Sequence, residues 1–252
     1  MDVAQFQSLV RDKGRQLYRS MPWRDEPTLY YVLVSELMLQ QTQVARVLPK
    51  FDEFIQRFPG ITALAAADLA EVLQAWQGLG YNRRAKFLHQ AARVIADGAP
   101  TATQADLVQL PGIGPNTAGA IMNYAHNHPT PFVETNIRSV YFHHFFAEAS
   151  AVADKQLLEM VAATMDRDHP RQWFWALMDY GAELKRQGQG RLTTSRHYKK
   201  QSRFDGSLRQ MRGEILRRHT RGQPLSDITA ALRHDQRFDA ALAGLRSDGL
   251  LG

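Results

Sequence analysis

The chain has no cysteine among its 252 residues. That absence excludes a disulfide framework, a thiolate nucleophile, a Cys-ligated zinc and a thiolate-held iron–sulfur cluster. Ligand spacing is also missing from the nine histidines. His126/His128 and His143/His144 lie close together, but neither pair has the i, i+4 spacing that puts two ligands on one helix face. No metal centre is expected. There is no apolar run approaching the ~18 residues of a membrane span. Met1-Asp2-Val3-Ala4-Gln5-Phe6 opens an amphipathic stretch rather than a signal peptide, so a soluble, cytoplasmic protein with no membrane partner is expected. Strand patterns are scarce too, and Val140-Tyr141-Phe142 is only a weak strand candidate.

What is present is an ordinary globular composition, 44% hydrophobic and 22% charged, with a formal net charge of +6. The length fits one large domain or two to three small ones. The charge is uneven. Between Glu183 and Arg221 twelve Lys/Arg face three acids, a net of +9 that leaves the rest of the chain at −3. Such a segment is either a solvated surface or the footprint of a polyanion binder.

Helical periodicity runs through most of the chain. Phe6, Leu9, Val10 and Leu17 share one face; Pro22 to Pro27 is a break. Helices are expected over 30–47, 51–58, 66–76 and 83–96, and Thr103 caps a short one to Leu107. After Gly206 three short helices, 208–219, 228–232 and 238–245, resemble a helix-turn-helix or winged-helix module. Such a module binds DNA or packs against a neighbour.

Leu110-Pro111-Gly112-Ile113-Gly114-Pro115-Asn116-Thr117-Ala118-Gly119 is the most informative stretch. Two glycines let the backbone approach another molecule closely, and free N–H groups at the following helix start suit one phosphate. A tight turn between helices without a ligand is the other reading. Here the sequence resembles the helix-hairpin-helix DNA glycosylases, in particular their MutY-like adenine glycosylase branch. Met21-Pro22-Trp23-Arg24, Ser35-Glu36-Leu37-Met38-Leu39-Gln40-Gln41-Thr42-Gln43-Val44, Gly78-Leu79-Gly80-Tyr81 with Arg83-Arg84-Ala85, and Ala176-Leu177-Met178-Asp179-Tyr180-Gly181 follow in the family's order. The resemblance spans roughly residues 22–181.

It implies an all-α, two-lobed fold with a DNA cleft, and three regions. Residues 22–126 would form a six-helix lobe with the hairpin. Residues 1–21 plus 127–203 would form a second lobe with a basic loop, and 204–252 the C-terminal helical module. The first helix is expected to pack with the second lobe. By resemblance Glu36, on a mainly apolar helix, is the general acid that protonates the leaving base. Gln40, Gln41 and Tyr81 would probe the duplex where the base leaves the stack, although a core tyrosine is the plainer reading of Tyr81. Gly112, Gly114, Asn116, Thr117, Arg138, Lys199 and Lys200 are further DNA-contact candidates. Trp23, Arg24 and Asp179 are candidates for the base pocket.

Three departures from the family pattern qualify this. Glu134 stands where relatives have Asp, two residues before Asn136. The carboxylate there supports the cationic sugar, and one added methylene either sits in a reshaped pocket or weakens catalysis. Asn116 stands where bifunctional relatives have the Schiff-base lysine, and an amide cannot form that imine. The four cluster cysteines are absent.

The expected function is monofunctional hydrolysis of a mispaired or damaged base, adenine or another purine, from duplex DNA, without efficient lyase activity. The alternatives are a thymine/uracil mismatch glycosylase and an inactive lesion-binding protein. No cofactor is expected beyond a monovalent cation at the hairpin. A monomer is expected, associated with the nucleoid if the source is bacterial.

Overall fold

The structure is a computed structural model that describes residues 1–149, 151–191 and 203–251. These residues carry fifteen helices and no strand. The helices are α1 (Val3–Leu17), α2 (Pro22–Asp25), α3 (Leu29–Leu39), α4 (Val44–Arg57), α5 (Ile61–Ala66), α6 (Leu69–Ala75), α7 (Arg83–Ala96), α8 (Gln104–Leu107), α9 (Pro115–Tyr124), α10 (Thr135–His144), α11 (Asp154–Thr164), α12 (Pro170–Arg186), α13 (Leu208–His219), α14 (Leu225–Leu232) and α15 (Phe238–Ser247). They divide into two compact units. One holds residues 1–32, 101–109 and 113–191, the other 33–100, 110–112 and 203–251. The lobes expected at 22–126 and at 1–21 plus 127–203, with a separate module at 204–252, divide the chain differently from these two units.

In the first unit α12 is the central element, packed against α1, α9 and α10. Phe6 of α1 meets Tyr141, Phe145 and Trp173 edge-on, with ring centroids 5.3, 4.8 and 5.8 Å apart, geometry favoured by the aromatic quadrupole. Two crossings depend on small residues. A Cβ at Gly14 would come within 2.7 Å of Ala176 Cβ, and one at Gly181 would overlap the Asn136 carbonyl. Val140-Tyr141-Phe142, the weak strand candidate, lies inside α10. Ile137, Val140 and Tyr141 recur there at i, i+3, i+4 and are all buried, so the helical period prevails over β-branched content.

In the second unit α5 and α6 pack on α7, and α4 on α6, around the buried Phe51, Phe54, Trp76 and Leu88. Two expected helices are broken here. Residues 30–47 divide at 40–43, where Gln41 takes φ 56°. Residues 66–76 divide at Ala67-Asp68, where the Glu71 carboxylate accepts the Asp68 N–H as at a new helix start. The expected 51–58 helix is the end of α4, which begins at Val44. Residues 203–251 add α13–α15, with α13 packed on both α14 and α15.

Candidate active site

Two loops of the second unit are built around one buried cation. Arg84, 7% exposed, sits at the start of α7. It donates to the carbonyls of Leu37, Met38 and Gln40 at 2.6, 2.8 and 2.6 Å, and to those of Leu79 and Gly80 at 3.2 and 2.9 Å. A further bond reaches Thr42 Oγ1 at 3.1 Å. The carbonyls that end α3 are therefore satisfied by a guanidinium rather than by further helix, which explains the break at 40–43. Burial lowers the Arg84 pKa to about 10, so it stays charged at neutral pH.

The residues these loops present are Gln40, Gln41 and Tyr81. Gln41 is exposed and Tyr81 is 39% exposed, while Gln40 is half-buried. Gln41 and Tyr81 both occupy the left-handed backbone region, at φ 56° and 46°, which costs a non-glycine residue about 1 kcal/mol or more. Arg84 also lies 5.6 Å from the centroid of the Tyr81 ring. The plainer reading of Tyr81 as a core residue does not hold; its ring reaches the surface.

Glu36 lies on α3 among Leu33, Val34, Leu37 and Met38, all at 0% exposure, and is itself half-buried. That matches the expected apolar helix.

The hairpin runs from α8 to α9. Thr103 caps α8, accepting the Asp106 N–H at 3.1 Å. Gly112 takes φ +77°, and a Cβ there would crowd Phe87, so the turn requires glycine. Gly114 is the N-cap of α9, Pro115 its first residue, and Asn116 is exposed beside the half-buried Thr117. Asn116 also links two segments of the chain. Its Oδ1 accepts the Val133 N–H at 3.2 Å, joining the start of α9 to the segment that leads into α10.

That segment ends at Glu134, the N-cap of α10, whose side chain makes no capping hydrogen bond. Desolvation by burial raises the Glu134 carboxyl above the ordinary range, although the residue as a whole is half-buried. Two residues on, Asn136 Oδ1 is buried with no hydrogen-bond partner among the described residues. Such an atom costs stability unless something binds it.

Three of the remaining candidates, Arg24, Asp179 and Arg138, are committed to partners. Arg24 donates to both oxygens of Asp179, at 2.6 and 3.1 Å, and Asp179 also accepts from Arg19 Nε at 2.8 Å. Arg24 lies 5.6 Å from the Tyr18 and Trp175 rings, and Trp23 is buried. Arg138 forms a two-pronged pair with Asp154, at 2.5 and 2.8 Å. Lys199 and Lys200 lie outside the described residues. In the sequence Arg84 stands out only as part of a motif, and the Asn116–Val133 bond leaves no mark. Arg84 stood in a recognisable block, whereas nothing local marks the pairing of Asn116.

Residues 34–162 match the HhH-GPD superfamily of base excision DNA repair proteins. The chain belongs to that superfamily. It is 44% identical over 171 residues to an adenine DNA glycosylase of Mycolicibacterium smegmatis, covering 66% of this chain and 58% of the relative. An adenine DNA glycosylase of Homo sapiens is 35% identical over 198 residues, covering 73% of this chain and 36% of the relative. The chain thus spans about half the length, or less, of these curated relatives. Among solved structures, a thermostable thymine-DNA glycosylase superposes with a TM-score of 0.63 at 23% identity, covering 71% of this chain and 86% of that one. An endonuclease III–DNA complex gives 0.55 at 16% identity, with 73% and 86% covered. These likenesses establish the HhH-GPD fold. The chain has no thiolate to hold an iron–sulfur cluster. Among the described residues no group of three His, Asp or Glu could hold a metal ion, and no helix is long and apolar enough to cross a membrane.

Proposed function

We propose that this protein is a monofunctional DNA glycosylase that hydrolyses the N-glycosidic bond of adenine, or another mispaired or damaged purine, in duplex DNA. The observation that carries the reading is the start of α10. A dehydrated carboxyl at Glu134 that does not cap its helix stands two residues before a buried, unpartnered amide oxygen at Asn136. A developing sugar cation is stabilised by a carboxylate in such a low-dielectric setting, and an amide oxygen in need of a donor can orient water. Glu134 thus takes the role held by Asp in relatives, in a pocket shaped for the longer arm. Glu36 protonates the leaving base. The adenine DNA glycosylases that resemble the chain support adenine as the base.

The hairpin glycines, Asn116 and Thr117 take a phosphate at the start of α9, with a monovalent cation, and Lys199 and Lys200 add backbone contacts. Gln40, Gln41 and Tyr81 enter the duplex as the base leaves it. The pairing of Arg24 with Asp179 supports a scaffold role beside Trp23 rather than direct contact with the base. Arg138, bound by Asp154, reaches a phosphate only by exchanging partners. The enzyme acts as a monomer, needs no redox cofactor and, with an amide at 116, forms no imine.

The test is single-turnover base release from duplexes carrying adenine, hypoxanthine, thymine or uracil opposite guanine, oxidised guanine and normal partners, scored with and without alkali. Alkali-dependent nicking at adenine is expected, and Glu36→Gln should reduce it at least 100-fold. Release of a pyrimidine would replace adenine as the substrate. Binding without release on every duplex would identify a lesion binder.

A further inference from the structure

The C-terminal helices are attached to the proposed duplex-probing loop at several points. Lys86 Nζ donates to the Asp248 carbonyl at 2.7 Å, and Gln77 Nε2 to Thr220 Oγ1 at 2.5 Å. Arg83 lies 3.8 Å from the Asp248 carboxylate, which also pairs with Arg212. Gln77, Arg83 and Lys86 flank the Gly78–Tyr81 loop on both sides. The first turn of α13 then reaches the loop itself. Arg209 donates to Tyr81 Oη at 2.7 Å, and its guanidinium lies 5.3 Å from the Tyr81 ring centroid.

Tyr81 is therefore held by two guanidinium groups from different parts of the sequence. Arg84 fixes the backbone on which it stands, and Arg209 holds the tip of the ring. The hold has a physical purpose. With φ at 46° the Tyr81 backbone occupies a region that L side chains avoid, and the ring is 39% exposed, so the loop alone does not fix its direction. A charge-assisted bond combined with a cation–π contact does.

We propose that the C-terminal module sets the conformation of the duplex-probing tyrosine, with Arg209 as its positioning residue. The inference rests on the reading that Tyr81 enters the duplex. It assigns 203–251 a part in base extrusion, beyond adding positive charge.

The test uses the full chain and a duplex with adenine opposite oxidised guanine, with a 2-aminopurine beside the target reporting unstacking. Arg209→Ala is expected to slow single-turnover release about tenfold and to weaken the unstacking signal, while duplex affinity changes less than threefold. Tyr81→Phe keeps the ring and removes the acceptor, and should reproduce most of that loss. Arg209→Lys, which keeps charge and donor, should recover most of the rate. The Arg209→Ala/Tyr81→Phe double variant should be no slower than Arg209→Ala.

Multiplying effects in the double variant would overturn the inference. So would an Arg209→Ala loss confined to affinity with the salt slope reduced by about one, which marks a plain phosphate contact. If Tyr81→Ala releases the base and unstacks the duplex like wild type, the reading of Tyr81 itself fails. If Tyr81→Ala is impaired while Arg209→Ala is not, only the role of Arg209 fails. The unstacking signal reads both variants even on a duplex from which no base is released.

Discussion

Glu134 concentrates the consequences of a single methylene. Aspartate is the better helix cap, and a glutamate at the same N-cap position makes no capping bond here. Its longer arm instead takes the carboxyl into a dehydrated position, which raises its pKa. The folded state then holds this proton more tightly than the unfolded chain does. The stabilising contribution is complete below the ordinary Glu range and is lost as pH rises through the raised value. Glu134→Gln is accordingly expected to raise the Tm at pH 8 and to leave it unchanged near pH 4. Thermal unfolding across pH reads this directly. The same substitution should abolish base release while preserving duplex affinity, because a neutral amide cannot balance a sugar cation. Release by wild type should fall on the acid side at a pH above that of an ordinary glutamate.

At the scale of elements, two close approaches decide where these groups sit. Helix α12 passes so near the start of α10 that a Cβ on Gly181 would overlap the Asn136 backbone. Gly181→Ala should therefore push α10 away and destabilise the protein by about 1–3 kcal/mol, an overpacking cost measurable by urea denaturation. Base release should fall further than stability alone explains, since Asn136 and Glu134 move together. Arg84 is the second case. Arg84→Met leaves carbonyls of two loops without a donor and should cost about 3–5 kcal/mol. Arg84→Lys should recover little, because three donors on a point charge cannot span acceptors that a planar fork reaches. The helices around these points were legible in the sequence. Thr103, Gly112, Pro115 and the 3.6-residue pattern each act locally. The break at 40–43 was not legible, because the donor that ends α3 comes from α7, more than forty residues away, whereas the break at 67–68 rests on the local Asp68–Glu71 pair.

For the whole molecule the uneven charge matters most. A net of +9 between Glu183 and Arg221 on an otherwise slightly acidic chain should make duplex binding steeply salt-dependent. Replacing Lys199 and Lys200 with Gln should reduce the slope of log affinity against log salt by about two, measured by fluorescence anisotropy. The rate of release at saturating enzyme should not change.

The sequence by itself determined the all-helical class, the exclusion of a thiolate-held cluster, the hairpin and the ordered motifs of the superfamily. These follow from residue type and short-range spacing, through periodicity, turn chemistry and the presence or absence of a ligand atom. Only the tertiary structure decided which partners the charged and polar side chains take. Arg138 is held by Asp154, Arg24 by Asp179, and Tyr81 by an arginine 128 residues further along the chain. A charge on a one-dimensional sequence is equally available to solvent, phosphate or carboxylate. Packing settles the choice, because a buried guanidinium or carboxylate must find a counter-charge or a set of acceptors within a few ångströms.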